Sequence, residues 1–233
     1  ALNMQSTTLY FWVYQLTNDK LSLGFVGLAE VIPAIGCSLF SGHFVDQNEK
    51  RKMVSVCLTG YLITALCLAG LSLPSTAQLF SAGAIVNLIY VLVFIGGALR
   101  SFYSPSMFSL FGLIVPRSEY PNATGWSSMA WQMGSVLGPL VAGLAIASLG
   151  VGASLWMVVG LELLMLWPLF AIPIKPIIKK EKEAILKSVA EGLRFVWRTP
   201  VLLSALSLDM FSVLFGGAVA LLPVYQKEIL HVN

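Results

Sequence analysis

Four ionisable side chains stand inside long apolar stretches of this 233-residue chain: Glu30, Arg100, Glu162 and Asp209. Charge is costly in an apolar medium, so such groups face one another, a polar interior or an aqueous path. A carboxyl held there can take up and release a proton, which makes Glu30 and Asp209 candidates for a proton site or a contact to a polar substrate. The alternative for both is an internal ion pair or hydrogen bond that fixes helix packing. Arg100 either snorkels to an interface along its own stem or binds an anionic head group. Glu162 lies among Leu161, Leu163, Leu164 and Met165 and has no polar company in the sequence. The amides of Gln5 and Asn87 need partners in lipid, so they would line a cavity or bridge helices.

The elements that position these residues are set by where charge is missing. Forty-seven residues separate Lys52 from Arg100 without a charge, and 42 separate Glu119 from Glu162. One helical crossing of the hydrocarbon layer takes ~20 residues, so each gap holds two crossings. Only 11% of the chain is charged, against roughly 25% in a soluble domain, which excludes a soluble fold of this size. A membrane β-barrel would show short alternating segments, whereas these runs are apolar on all sides. The expected architecture is all-α, a polytopic helical bundle with segments at 1–17, 21–44, 53–73, 78–105, 125–148, 151–171 and 201–225. Pro105 predicts a bend or an interfacial tail beyond it in the fourth.

Basic residues set the orientation. The connections 45–52, 116–124 and 172–200 hold 11 of the 14 Lys and Arg, while 73–78 and 148–151 are short and uncharged. The positive-inside rule puts the basic connections in the cytoplasm, most simply of a bacterial inner membrane. Within 172–200, Ile185, Val189, Leu193 and Val196 recur at helical spacing, either as an interfacial amphipathic helix or as a helix packed on the bundle. The first segment is short and lacks the basic flank and cleavage site of a signal peptide. It reads as an incomplete span, and the whole sequence as an internal fragment. Cys37, Cys57 and Cys67 all fall in apolar runs and read as small packing residues.

Small residues recur at spacings of four: Gly134, Gly138 and Ala142 with Pro139 and Gly143 in the fifth segment, and Ala29, Pro33, Cys37 and Ser41 in the second. Such faces let helices approach closely, for packing alone or for sliding in a moving bundle. No His-Glu-x-x-His pattern and no phosphate-binding Gly-rich loop ending in Lys-Ser or Lys-Thr occurs. No metal, cofactor or nucleic acid is expected, and the ionisable residues are scattered rather than clustered as a membrane enzyme would require.

The run Gly42-His43-Phe44-Val45-Asp46-Gln47-Asn48-Glu49-Lys50-Arg51-Lys52 resembles the Gly-x-x-x-Asp-Arg-x-Gly-Arg-Arg loop of the major facilitator superfamily. Gly42, Asp46 and Arg51 match and Lys50 is conservative, while Gln47 and Glu49 depart from the pattern. Gly134 to Gly143 is similar to the Gly-Pro motif in the fifth helix of that family's exporters. Leu16-Thr17, Leu23-Gly24, Phe102 to Pro105, Glu191 to Val196 and Leu222 to Tyr225 resemble its macrolide and siderophore exporter branch. The resemblance implies two six-helix halves rocking about a central site. Residues 1–171 would be most of the first half, 172–200 the cytoplasmic linker and 201–233 the first helix of the second half. It favours Gln5, Asn87, Arg100 and Asp209 as cavity residues and gives Asp46 a gating contact.

The function so implied is secondary export of an amphipathic, drug-like or siderophore-like molecule by alternating access, coupled to a proton or another ion. Lipid would surround the bundle and the missing C-terminal half would complete it. Transport of a lysophospholipid, with Arg100 on the head group, is the alternative within transport; a membrane enzyme or scaffold is the alternative outside it.

Overall fold

The computed structural model describes residues 1–172, 192 and 194–216. They are helical almost throughout, in α1 (Leu2–Thr17), α2 (Lys20–Gln47), α3 (Lys50–Leu71), α4 (Pro74–Leu79), α5 (Ala82–Ile114), α6 (Tyr120–Ala171) and α7 (Pro200–Gly216). Among the described residues there is no strand. Two compact units divide the chain, residues 1–179 and 180–233, and α7 belongs to the second.

Tight polar turns join the helices of the first unit. Asn18 ends α1 in the left-handed region (φ 50°), and its N–H bonds the Tyr14 carbonyl. Asn is one of the few side chains that tolerate this conformation. Asp19 then caps α2 by accepting from the N–H groups of Leu21 and Ser22, satisfying donors that a helix start leaves open. Ser81 does the same for α5 through the Ala84 N–H.

α2, α3, α5 and α6 are each long and apolar enough to cross a membrane. Within α6, Gly150 takes φ 85° and breaks the helix in two. The contacts of α1 show that the chain folds back there. A β-carbon on Gly138 would meet Asn3 and the Met4 backbone, while Thr8 is hydrogen-bonded to Ser154 at 2.8 Å. Five residues of α1 rise ~7.5 Å and the sixteen from 138 to 154 would rise ~24 Å if straight, so the chain must reverse between them. α6 therefore supplies two crossings, as the uncharged gap required.

α2 packs mainly along α5, α1 along α6, and α3 against both α5 and α6. Three contacts fix the α2 and α5 pair: the Tyr90 hydroxyl donates to the Ser22 carbonyl, the Ser101 hydroxyl donates to the Ala34 carbonyl, and Arg100 pairs with Glu30. Their sequence offsets are 68, 67 and 70, so the two helices run parallel. The main apolar core gathers Met4, Leu9, Trp12, Val13, Leu68, Ile89, Leu155 and Val158; a second cluster, around Val54, Leu58, Tyr61, Leu110 and Leu169, ties α3 to the ends of α5 and α6.

Several boundaries differ from the sequence expectation. The fourth segment, expected at 78–105, is preceded by the separate helix α4, begun by Pro74, and α5 itself starts at Ala82. It then continues as one helix through Pro105 to Ile114, so the stretch beyond Pro105, where a bend or an interfacial tail was expected, belongs to the helix itself. Proline removes one intrahelical hydrogen bond, but Leu110 beyond it is buried with Val54 and Leu58 of α3, and that packing holds the helix. The connection 116–124 shrinks because α6 begins at Tyr120, whose hydroxyl donates to the Gly112 carbonyl and whose ring lies 6.3 Å from that of Phe111. The connection 45–52 shrinks to Asn48 and Glu49. Most of 172–200, including the amphipathic pattern from Ile185, and everything from Gly217 to Tyr225 lie outside the described residues.

Candidate functional site

Parallel packing of α2 on α5 brings together two residues 70 positions apart. Arg100 Nη1 lies 2.5 Å from Glu30 Oε1, with side-chain exposures of 53% and 25%. A charge-assisted contact of this length is a strong hydrogen bond as well as an ion pair. The helices can come this close because Gly97 has no side chain: a β-carbon there would overlap the Glu30 carbonyl oxygen and stand 2.9 Å from Pro33 Cγ. One turn on, Ser101 donates to the Ala34 carbonyl at 2.7 Å. Glu30 is eleven positions into a 28-residue helix, roughly 15 Å from its start and so well inside the hydrocarbon layer. Tyr10 of α1 and Tyr61 of α3 both lie in the electrostatic field of the pair. The Tyr61 hydroxyl is buried without a hydrogen-bond partner, and its ring meets Tyr103 edge-on at 5.9 Å.

The other expected site residues are distributed differently. Glu162 is buried (4% exposed) with neither carboxyl oxygen bonded, and the Gln5 Oε1 is likewise buried and unbonded. Asn87 is exposed on α5, and Asp209 is exposed on α7 in the other unit. Gly42 and Asp46, expected at and beyond a helix end, lie within the last turns of α2, while Lys50 and Arg51 open α3. The reason is local capping. The Asn48 amide donates to the Phe44 carbonyl and the Lys50 ammonium donates to the Val45 carbonyl, satisfying the open end of α2 and placing a cation on its negative pole. Of the small-residue faces, Gly138 touches α1 and Ala142 is fully buried, while Gly134 and Gly143 have open space where a β-carbon would be; Pro139 is exposed. Among the described residues no cluster of three or more His, Cys, Asp or Glu side chains could hold a metal.

Sequence reading treated Glu30 and Arg100 as separate candidates, and it missed Tyr10 and Tyr61. Nothing in a single sequence separates a phenol facing a charge from one facing the core.

Apolar crossings joined by short polar turns, with an ion pair between two of them, define a multi-spanning helical membrane protein. The family model of the Major Facilitator Superfamily matches residues 1–233, and the chain belongs to that family. It is 27% identical over 210 residues to the multidrug efflux pump Tap of Mycolicibacterium fortuitum, covering 85% of this chain and 49% of that one. It is 23% identical over 198 residues to the uncharacterized MFS-type transporter YfiS of Bacillus subtilis, covering 83% and 45%. To the enterobactin exporter EntS of Shigella boydii it is 26% identical over 167 residues, covering 70% and 38%. The chain spans about half the length of the first of these relatives.

Proposed function

We propose that the whole protein is a secondary exporter of an amphipathic small molecule, drug-like or siderophore-like, that works by alternating access and draws on a proton gradient across a bacterial inner membrane. The observation that carries this reading is the Glu30–Arg100 pair, half open to its surroundings inside two crossing helices. While both are ionised, the pair is neutral as a unit. The Glu30 carboxylate can accept instead from a cationic or hydrogen-bond-donating group of the cargo; protonation of Glu30 withdraws that acceptor, releases the cargo and removes the contact that links α2 to α5 at this level. One site can in this way exchange a proton for a substrate. The differential between the two states need only be a few kcal/mol to redistribute them. The similarity to a multidrug efflux pump and to an enterobactin exporter supports export of small molecules.

The test uses the full-length protein in proteoliposomes with an imposed pH gradient. Glu30→Gln and Arg100→Ala, at wild-type abundance, are expected to lose proton-driven efflux at least tenfold. Unchanged rates across pH in both variants would sink the proposal. Selective loss of lysophospholipid movement in Arg100→Ala, with drug and siderophore panels inert in the wild type, would turn the reading to lipid transport.

A further inference from the structure

The crossing formed by the second part of α6, residues 151–171, buries a carboxyl that the ion pair does not use. Glu162 is 4% exposed and both its oxygens lack hydrogen bonds. Across the interface, the Gln5 Oε1 is also buried and unbonded. Two unpartnered polar groups inside one apolar core call for a common explanation, because each alone is expensive.

The register of α1 against this crossing brings them within reach. Thr8 is hydrogen-bonded to Ser154, and Gly152 approaches Ser72 at the C-terminus of α3, so this crossing starts at the end of the bundle where α1 finishes and the two helices run antiparallel. Gln5 lies on the same face of α1 as Ala1 and Thr8, and Ser154, Val158 and Glu162 share a face of α6. From the Thr8–Ser154 level Gln5 is displaced ~4.5 Å and Glu162 ~12 Å in the same direction, which leaves ~7.5 Å along the axis. Side chains on a helix lean toward its N-terminus. In this antiparallel pair the Gln5 and Glu162 side chains therefore lean toward each other.

We propose that Glu162 is a proton-binding site in the α1–α6 interface, occupied at neutral pH, whose carboxylic hydrogen is donated to the Gln5 side-chain oxygen. The step is simple: a carboxylate takes one proton from water, becomes neutral, and gains a hydrogen-bond donor where two acceptors faced each other. The titratable side chains on the two helices packed against this crossing are Tyr10 and Tyr14 on α1, and Cys57, Tyr61 and Cys67 on α3, with Lys50, Arg51 and Lys52 at the start of α3. Tyr10 and Tyr61 lie in the field of Arg100 and Glu30 instead. Neither Glu162 oxygen is hydrogen-bonded to any of these side chains. A neutral carboxylic acid is thus the form this position accommodates. The site stands apart from the Glu30–Arg100 pair and does not depend on cargo or direction of export.

Infrared difference spectroscopy on the full-length protein in lipid nanodiscs tests it. The wild type is expected to show a protonated carboxyl band at neutral pH that is lost in Glu162→Gln. In Gln5→Leu the band should remain but shift to higher frequency, because the acid has lost its acceptor. Should Glu162→Gln fail to fold, the Gln5→Leu shift and a displaced band in Glu162→Asp decide the matter. A band indifferent to all three substitutions overturns the proposal. So does thermal stabilisation by sodium chloride over choline chloride that Glu162→Gln abolishes, since that would make the three oxygens a cation site.

Discussion

Gly97 illustrates how one missing side chain determines a contact. Its position would place a β-carbon into the Glu30 carbonyl oxygen, a backbone atom that cannot give way without moving α2. Gly60 on α3 is crowded too, but its neighbour at 2.7 Å is the Leu99 Cδ1, the end of a flexible side chain. Gly97→Ala is therefore expected to destabilise the bundle by about 1–3 kcal/mol, the usual cost of overpacking, and to lower the thermal midpoint in detergent. Gly60→Ala should cost less, because Leu99 can change rotamer. Equal losses in the two variants would count against the α2–α5 approach. The same contact shows why the ion pair was not legible in the sequence. Glu30 and Arg100 could each be picked out as charges in apolar runs, but the offset of about 70 that joins them is a property of tertiary register, which no local pattern encodes.

At the scale of elements, the crossings were legible because lipid forbids charge, and their ends were not, because capping works at the level of single hydrogen bonds. α2 runs on through His43 and Asp46 because the Asn48 and Lys50 side chains close its end; hydropathy stops the helix earlier, at 44. α5 runs past Pro105 because Leu110 is buried against α3. The turn between α1 and α2 falls in the gap left between the segments 1–17 and 21–44, and Asn18 and Asp19 supply its turn and capping chemistry. Asp19 accepts from two backbone N–H groups and from the Ser22 hydroxyl, so Asp19→Ala should cost about 1 kcal/mol, within the range for a lost N-cap. Asp19→Asn should recover most of it, because the amide oxygen can still accept. Chemical unfolding of the purified variants measures both, and an Ala variant as stable as the wild type would show that the cap contributes nothing.

On the scale of the molecule, parallel α2 and α5 give the bundle two distinguishable ends. The turn at Asn48 and Glu49 and the one between Val115 and Glu119 follow the C-termini of these two helices, so they share an end, and Lys50, Arg51, Lys52 and Arg117 gather there. Gly152 approaches Ser72, which puts the α3 to α5 connection and the Gly150 turn together at the other end, where Lys20 is the one basic residue near a turn among the described residues. Charge asymmetry and helix direction thus agree without either being derived from the other, and the positive-inside rule predicts that the first end faces the cytoplasm. Single-cysteine labelling in intact cells tests this. Cys37, Cys57 and Cys67 must first be replaced, since Cys67 is exposed and would react. Ser75→Cys, in α4, should then react with an impermeant maleimide added outside, and Ser118→Cys only after the cells are opened. Both side chains are exposed, so accessibility within the bundle does not bias the comparison. Reversal of the two results would invert the molecule in the membrane, and labelling of both from one side would break the parallel arrangement of α2 and α5.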